Sequence, residues 1–99
     1  MAKFALYVRL KPKPGKEQAV EDFLKQGAQM AAKEPGTASW YGIRQDDGVY
    51  SVFDTFEDEA GRDAHLNGEI AKALMAKADE LFAEPLNIAK LTLVADHKK

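Results

Sequence analysis

Of the two histidines in the chain, His97 sits in the polar tail Asp96-His97-Lys98-Lys99, which leaves His65 as the one placed for chemistry. An imidazole with an ordinary pKa near 6.5 changes charge around neutrality, which suits it to act as a general base. The chain has no cysteine, so thiolate nucleophiles, thiolate metal ligands and disulfides are excluded. Asp54 is the acidic partner to consider. It lies in the aromatic run Val49 to Phe56, which passes directly into the segment carrying His65 in the stretch VYSVFDTFEDEAGRDAHLNG.

A carboxylate on a strand can meet a histidine about two turns into the next helix, at roughly 3.6 residues per turn. The pair would follow the logic of a triad without its nucleophile, Asp54 orienting His65 as the base. The structural alternative is a helix-side histidine bonded within the fold, with Asp54 bonded to Tyr41 across the strands or to backbone. Tyr41 would offer a phenol and Arg44 a cation to a bound molecule, and Ile43, Val52 and Phe56 would form apolar walls. Trp40 and Arg44, two residues apart on one strand, either line the mouth of that pocket or pack in a subunit interface. No metal site is expected: His65 has no second histidine at helical spacing, and Asp54, Glu57, Asp58 and Glu59 face several directions.

The elements that position these residues follow from periodicity. Phe4, Leu6, Val8 and Leu10 alternate with Ala5, Tyr7 and Arg9, which predicts a strand ended by Pro12 and Pro14. From Lys16, Val20, Phe23, Leu24, Gly27, Met30 and Ala31 fall on one helical face, stopped by Pro35-Gly36. Thr37 to Gln45 and Val49 to Phe56 flank Asp-Asp-Gly and read as a hairpin. With Asp47-Gly48 as a two-residue loop, Tyr41 opposes Asp54, Trp40 opposes Thr55 and Gly42 opposes Phe53. Tyr41, Ile43, Tyr50, Val52, Asp54 and Phe56 then share one face, while Trp40, Gly42, Arg44, Ser51, Phe53 and Thr55 share the other. Asp58 is the expected helix N-cap, with Glu59 in the first turn. A break at Asn67-Gly68 precedes a second helical segment through Leu81, and Asn87 to Ala95 alternates as a fourth strand.

The order β-α-β-β-α-β predicts an α+β, ferredoxin-like split βαβ fold, a four-stranded antiparallel sheet with helices on one face. The 99 residues form one domain, with core 3–95 and tail 96–99. Since both hairpin faces carry large apolar side chains and helices cover one, the bare face predicts a homodimer closed by sheet-to-sheet contact. A net charge of -2 with scattered basic residues gives no nucleic-acid footprint. No apolar run reaches the roughly 20 residues of a membrane span, and the start MAKFALYVRL has no signal-peptide character, so a cytoplasmic, unprocessed protein is expected.

The βαββαβ pattern, the FDTFEDEA run into a helix and the histidine seven residues after Asp58 resemble the antibiotic biosynthesis monooxygenase-like domains. That family includes quinol monooxygenases and belongs to the dimeric α+β barrel proteins, and the resemblance spans Phe4 to Val94. It implies a homodimer with a pocket in each subunit between sheet and helices. Some members use no metal, flavin or haem, because the deprotonated substrate is electron-rich enough to react with molecular oxygen itself. The implied function is a cofactor-independent monooxygenase acting on a small aromatic, hydroquinone- or anthrone-like substrate. The alternatives are a non-catalytic dimeric module that binds a hydrophobic metabolite, or a purely structural dimer. Two departures from the family pattern stand out: Phe56 replaces a frequent tryptophan, and Asn67-Gly68-Glu69-Ile70 replaces a frequent second histidine. The first strand also lacks the asparagine that haem-degrading relatives use.

Overall fold

Alternating strands at both ends and helical spacing between them produce seven elements. A computed structural model of the chain describes residues 2–99: β1 (Phe4–Leu10), α1 (Glu17–Ala31), β2 (Thr37–Arg44), β3 (Tyr50–Phe56), α2 (Glu59–Leu66), α3 (Glu69–Leu81) and β4 (Ile88–Thr92). The strands form one sheet in the order β2-β3-β1-β4 with every neighbouring pair antiparallel. The helices pack against one face, as the α+β, ferredoxin-like pattern predicts. Leu6, Val8, Leu10, Tyr50 and Val52 are buried beneath α1 and α3, whose Val20, Leu24, Leu74 and Leu81 complete the core.

The hairpin departs from expectation by one residue. Trp40 pairs with Asp54, Tyr41 with Phe53, Gly42 with Val52 and Arg44 with Tyr50, and the pairing continues to Gln45, whose N–H donates to Val49 O. The loop is therefore Asp46-Asp47-Gly48. A two-residue type I′ turn would need positive φ at both Asp47 and Gly48, whereas only Gly48 takes it, at φ 84. The Asp47 carboxylate instead accepts from the Val49 N–H at 3.1 Å, and Gly48 closes a three-residue turn by donating to Gln45 O. A one-residue slip moves every side chain of a strand to the other face. Trp40, Gly42 and Arg44 thus lie on the helix side with Tyr50, Val52 and Asp54. Tyr41 and Ile43 join Ser51, Phe53 and Thr55 on the bare side.

The helices dock through close approaches. The Trp40 indole lies over Gly27 of α1, where an added Cβ would come within 3.0 Å of two ring carbons. The end of α3 is tied to the segment after β1 by Lys13 N–H to Leu81 O and Ala83 N–H to Lys11 O, both 2.8 Å. α2 begins at the expected cap, Asp58 accepting from the Gly61 N–H at 2.7 Å. Its buried residues are polar, Arg62 and His65. The Arg62 guanidinium lies over the Phe4 ring and donates to Leu91 O at 3.2 Å.

The turn Glu34-Pro35-Gly36-Thr37, closed by Thr37 N–H to Glu34 O, rests directly on α2. A Cβ at Gly36 would sit 2.8 Å from Gly61 Cα, and one at Gly61 would sit 2.8 Å from Gly36 O. Alanine for glycine inside a helix ordinarily stabilises by roughly 0.5–1 kcal/mol. Here the sign reverses, and Gly61→Ala should lower the unfolding free energy by about 1–3 kcal/mol in urea titration through overpacking. A Gly61→Ala protein as stable as wild type would show that turn and helix are not held this close.

Candidate active site

α2 carries His65 one turn beyond Gly61, so the Gly36–Gly61 contact brings the turn after α1 to the imidazole. Glu34 Oε1 lies 2.7 Å from His65 Nδ1, and on the other ring edge Asp54 Oδ2 of β3 lies 3.0 Å from Nε2. Thr37 Oγ1 donates to Glu34 Oε1 at 2.8 Å. Gly68 leaves room for the carboxylate, since a Cβ there would meet Glu34 Oε2 at 3.2 Å. The fully buried Phe56 ring stands 5.2 Å from the imidazole centroid, tilted by 46°. Side-chain exposure falls along the chain of groups, from 24% at Glu34 to 8% at His65 and 2% at Asp54.

The two carboxylate contacts differ in kind. Glu34 accepts a hydrogen bond in line with the ring, whereas Asp54 Oδ2, though close, makes no well-directed hydrogen bond. It therefore keeps accepting capacity. Burial works against the imidazolium, but the close approach of Asp54 to Nε2, the hydrogen bond to Glu34 and the attraction of both carboxylates outweigh it and raise the His65 pKa above 6.5. The carboxylates approach opposite edges of one ring and do not converge on a common point. Among the described residues no group of three or more His, Cys, Asp or Glu is arranged to hold a metal ion.

Asp54 and His65 form the polar corner of a cavity between the sheet and all three helices. Its other walls include Leu6, Val52, Trp40, Phe23, Leu66 and Leu74, almost all apolar. Trp40 and Asp54 both line the cavity, and the indole Nε1–H of the one and the Oδ2 of the other are buried without a directed partner. The cavity volume is about 40 Å³, room for roughly three waters at 10–15 Å³ each and well short of the roughly 150 Å³ that admits benzene. A ring therefore needs the walls to yield. Phe23, Trp40, Leu66 and Ile88 are the large wall residues that are only partly buried.

The structure brings together four of the residues singled out from sequence, Asp54, His65, Val52 and Trp40. Phe56 backs the imidazole but is not part of the cavity wall. Tyr41 and Ile43, 55% and 39% exposed, lie on the bare face of the sheet, because the three-residue loop shifts β2 by one. The phenol of Tyr41 accordingly faces away from Asp54. Arg44 is on the helix side but pairs with Glu21 at 3.3 Å outside the cavity, and the same Glu21 accepts from the Tyr50 hydroxyl at 2.9 Å. Sequence reasoning missed Glu34 and the indole N–H. Glu34 stands 31 residues before His65, in a turn with the composition of an ordinary surface loop.

A family model described as antibiotic biosynthesis monooxygenase matches residues 3–77. Among solved structures, a protein of unknown function from Nitrosomonas europaea is 48% identical, the match covering 100% of this chain and 96% of that one with a TM-score of 0.93. A Mycobacterium tuberculosis protein is 19% identical over 98% of this chain and 100% of its own, with a TM-score of 0.87. A Pseudomonas aeruginosa protein is 18% identical over 96% and 97%, with a TM-score of 0.81. The last two show the fold alone. No curated protein matches the chain.

Because the His65 pKa is raised on folding, its contribution to stability is complete below about 6.5, the unfolded value, and is lost as pH rises through the folded value. Each unit of elevation corresponds to about 1.4 kcal/mol. Thermal unfolding between pH 5.5 and 9 should show wild type losing more stability on alkalinisation than His65→Gln. Identical pH slopes in the two proteins would remove the charged imidazole from the site.

Proposed function

We propose that this chain, which belongs to the antibiotic biosynthesis monooxygenase family, is a monooxygenase that acts without a cofactor on a small, neutral, hydroxylated aromatic compound. One observation carries the reading: the buried Asp54–His65 couple opens onto an otherwise apolar cavity. A ligand hydroxyl seated there donates to Asp54 Oδ2 and accepts from the Trp40 indole N–H, which satisfies two buried groups that have no directed partner within the chain. Both ring nitrogens of His65 already face carboxylates. In this proposal Asp54 therefore receives the ligand's proton and His65, as imidazolium, holds it in place, an exchange of the roles expected from sequence.

The chemistry follows from the electron richness of the ligand. As it yields an electron to dioxygen its hydroxyl becomes a strong acid, and a carboxylate at hydrogen-bond distance takes the proton in the same event. Trp40 N–H steadies the negative charge that develops on the ligand oxygen. One oxygen atom then enters a ring C–H as a new hydroxyl, and the other leaves as water with two hydrogens from the ligand's original hydroxyl groups, so that a hydroquinone and dioxygen give a hydroxyquinone and water. The cavity's size favours one ring over three, so hydroquinone-like ligands fit this reading better than anthrone-like ones.

The same proposal takes a second copy of the chain as partner for the bare face. Tyr41, Phe53 and Tyr7 stand in register across three strands there, a continuous aromatic row of the kind that monomeric proteins seldom leave in water. Sedimentation at micromolar concentration should give a dimer for wild type and a monomer for Phe53→Asp. A monomeric wild type would remove the partner.

Oxygen uptake by purified protein, offered hydroquinones and anthrones without added metal or flavin, tests the reaction. Asp54→Asn should reduce the rate by about 10²–10⁴-fold, the usual weight of a general base, and Trp40→Phe by less. No uptake with any compound, while some still protect the fold against heat, would leave the cavity as a binding site and sink the enzyme reading.

A further inference from the structure

We propose that the cavity is entered from the groove between α1 and the edge strand β2, and that the Trp40 indole is the door between the two. The groove has Leu24 and Trp40 as walls in common with the cavity, and exposed residues, Ala28 and Tyr41 among them, form its rim. It holds about 260 Å³, room for a single ring, which the 40 Å³ inside is not. Leu24 is buried in the core, whereas Trp40 is partly buried and stands on a strand with one neighbour only. Of the two shared walls the indole is therefore the one free to move. Leu6, Val52, Ile70 and Leu74 close the cavity as buried core residues.

The surroundings of the ring suit such a movement. A buried indole N–H usually finds an acceptor, and that of Trp40 has none. No hydrogen bond from the indole N–H holds the ring shut, and a turn toward the groove gives that N–H to water. Glycines flank the six-membered ring: a Cβ at Gly27 would lie 3.0 Å from Cζ2 and Cη2, and one at Gly42 would lie 3.5 Å from Cζ3. Both glycines are inside elements, one in α1 and one in β2, where glycine is disfavoured. What they supply is a passage for the ring with bare backbone on two sides. Once a ligand has passed, the indole returns over it and its N–H meets the ligand hydroxyl. The inference rests on the reading that the cavity takes a one-ring ligand, but its first test uses ligand-free protein.

The chain has one tryptophan, so a single indole resonance in ¹H–¹⁵N spectra reads the door. Its N–H should be protected from deuterium exchange at least tenfold less than the amides of the central strands β1 and β3, and dilute urea should leave its rate unchanged, because the indole opens without unfolding. Ala28 is exposed, on the groove rim and outside the cavity wall. Ala28→Phe should fill the groove and slow indole exchange at least threefold relative to those amides. Gly27→Ala, whose methyl stands in the way of the ring, should do the same and carries the test if the phenylalanine variant does not fold. Hydroquinone under nitrogen, followed by Trp40 fluorescence in stopped flow, should associate and dissociate more slowly in Ala28→Phe by one common factor, with Kd within twofold of wild type. Indole exchange less than tenfold faster than the strand amides, or accelerated by dilute urea as they are, or slowed less than threefold by the variant, would overturn the door. A door that opens in a protein that binds no hydroquinone would keep the entrance and reject the ligand, whereas hydroquinone binding at unaltered rates in Ala28→Phe would keep the ligand and reject the entrance.

Discussion

An imidazole held between two carboxylates that favour its charged form, in a place with little water, is the constraint that the rest of the structure serves. Taken singly, any of the three groups would be a liability there, because an uncompensated buried charge costs several kcal/mol. Together, each ionised group lowers the cost of its neighbour, provided the three meet within hydrogen-bond distance. Asp54 comes from β3, His65 from α2 and Glu34 from the turn leaving α1, so two consecutive elements and a turn well before them in sequence must converge to a few tenths of an ångström. The Asp58 cap fixes where α2 begins and hence the rotation at which His65 points. The paired glycines at 36 and 61 let the Glu34 turn approach the helix backbone. The Phe56 ring closes the remaining side.

The cavity beside this cluster depends on a second, smaller constraint, the phase of β2. A single positive φ at Gly48 makes the hairpin loop three residues long, and that odd length decides which aromatic side chain faces inward. Trp40 turns in and Tyr41 turns out. Gly27 and Gly42 then give the space that the choice demands, since a Cβ at Gly27 would reach the indole and one at Gly42 would reach Leu24 Cβ at 3.2 Å. The apolar wall, the free indole N–H and the bare aromatic row on the opposite face thus share one cause.

Much of this was legible in the sequence because it is written in period and in caps. Alternation and helical spacing located the elements, and Asp58 located the start of α2. Asp54 and His65 were legible as a pair because strand alternation and helix phase are both counted from the short link between them. The register of β2 was not, since an Asp-Asp-Gly loop is compatible with either two or three turn residues and only the φ of Asp47 separates them. Glu34 was hidden for a different reason. Nothing in a turn reading Glu-Pro-Gly-Thr signals that it will meet a helix 31 residues later, and the glycines that permit the meeting look like ordinary turn and helix-start residues. Arg44 illustrates the converse: a cation placed on the correct face is spent on Glu21, which also accepts from the Tyr50 hydroxyl, before it can reach a ligand.

The charge of the cluster also restricts what the cavity can receive. Two carboxylates and one imidazolium leave a net charge of about -1, and the low-dielectric surroundings of the apolar walls do little to screen it. A ligand that arrives as an anion meets that charge at close range with a single indole N–H to offset it. A neutral ligand meets no such barrier, and its hydroxyl satisfies both the Asp54 oxygen and the indole. Negative charge on the ligand is then tolerable only as long as the proton it has lost remains on the cluster, which neutralises one carboxylate at the moment the charge appears. Recognition and reactivity in the proposed reaction therefore have one physical origin: the site admits a neutral molecule and makes its ionisation favourable only in step with the transfer of its own proton.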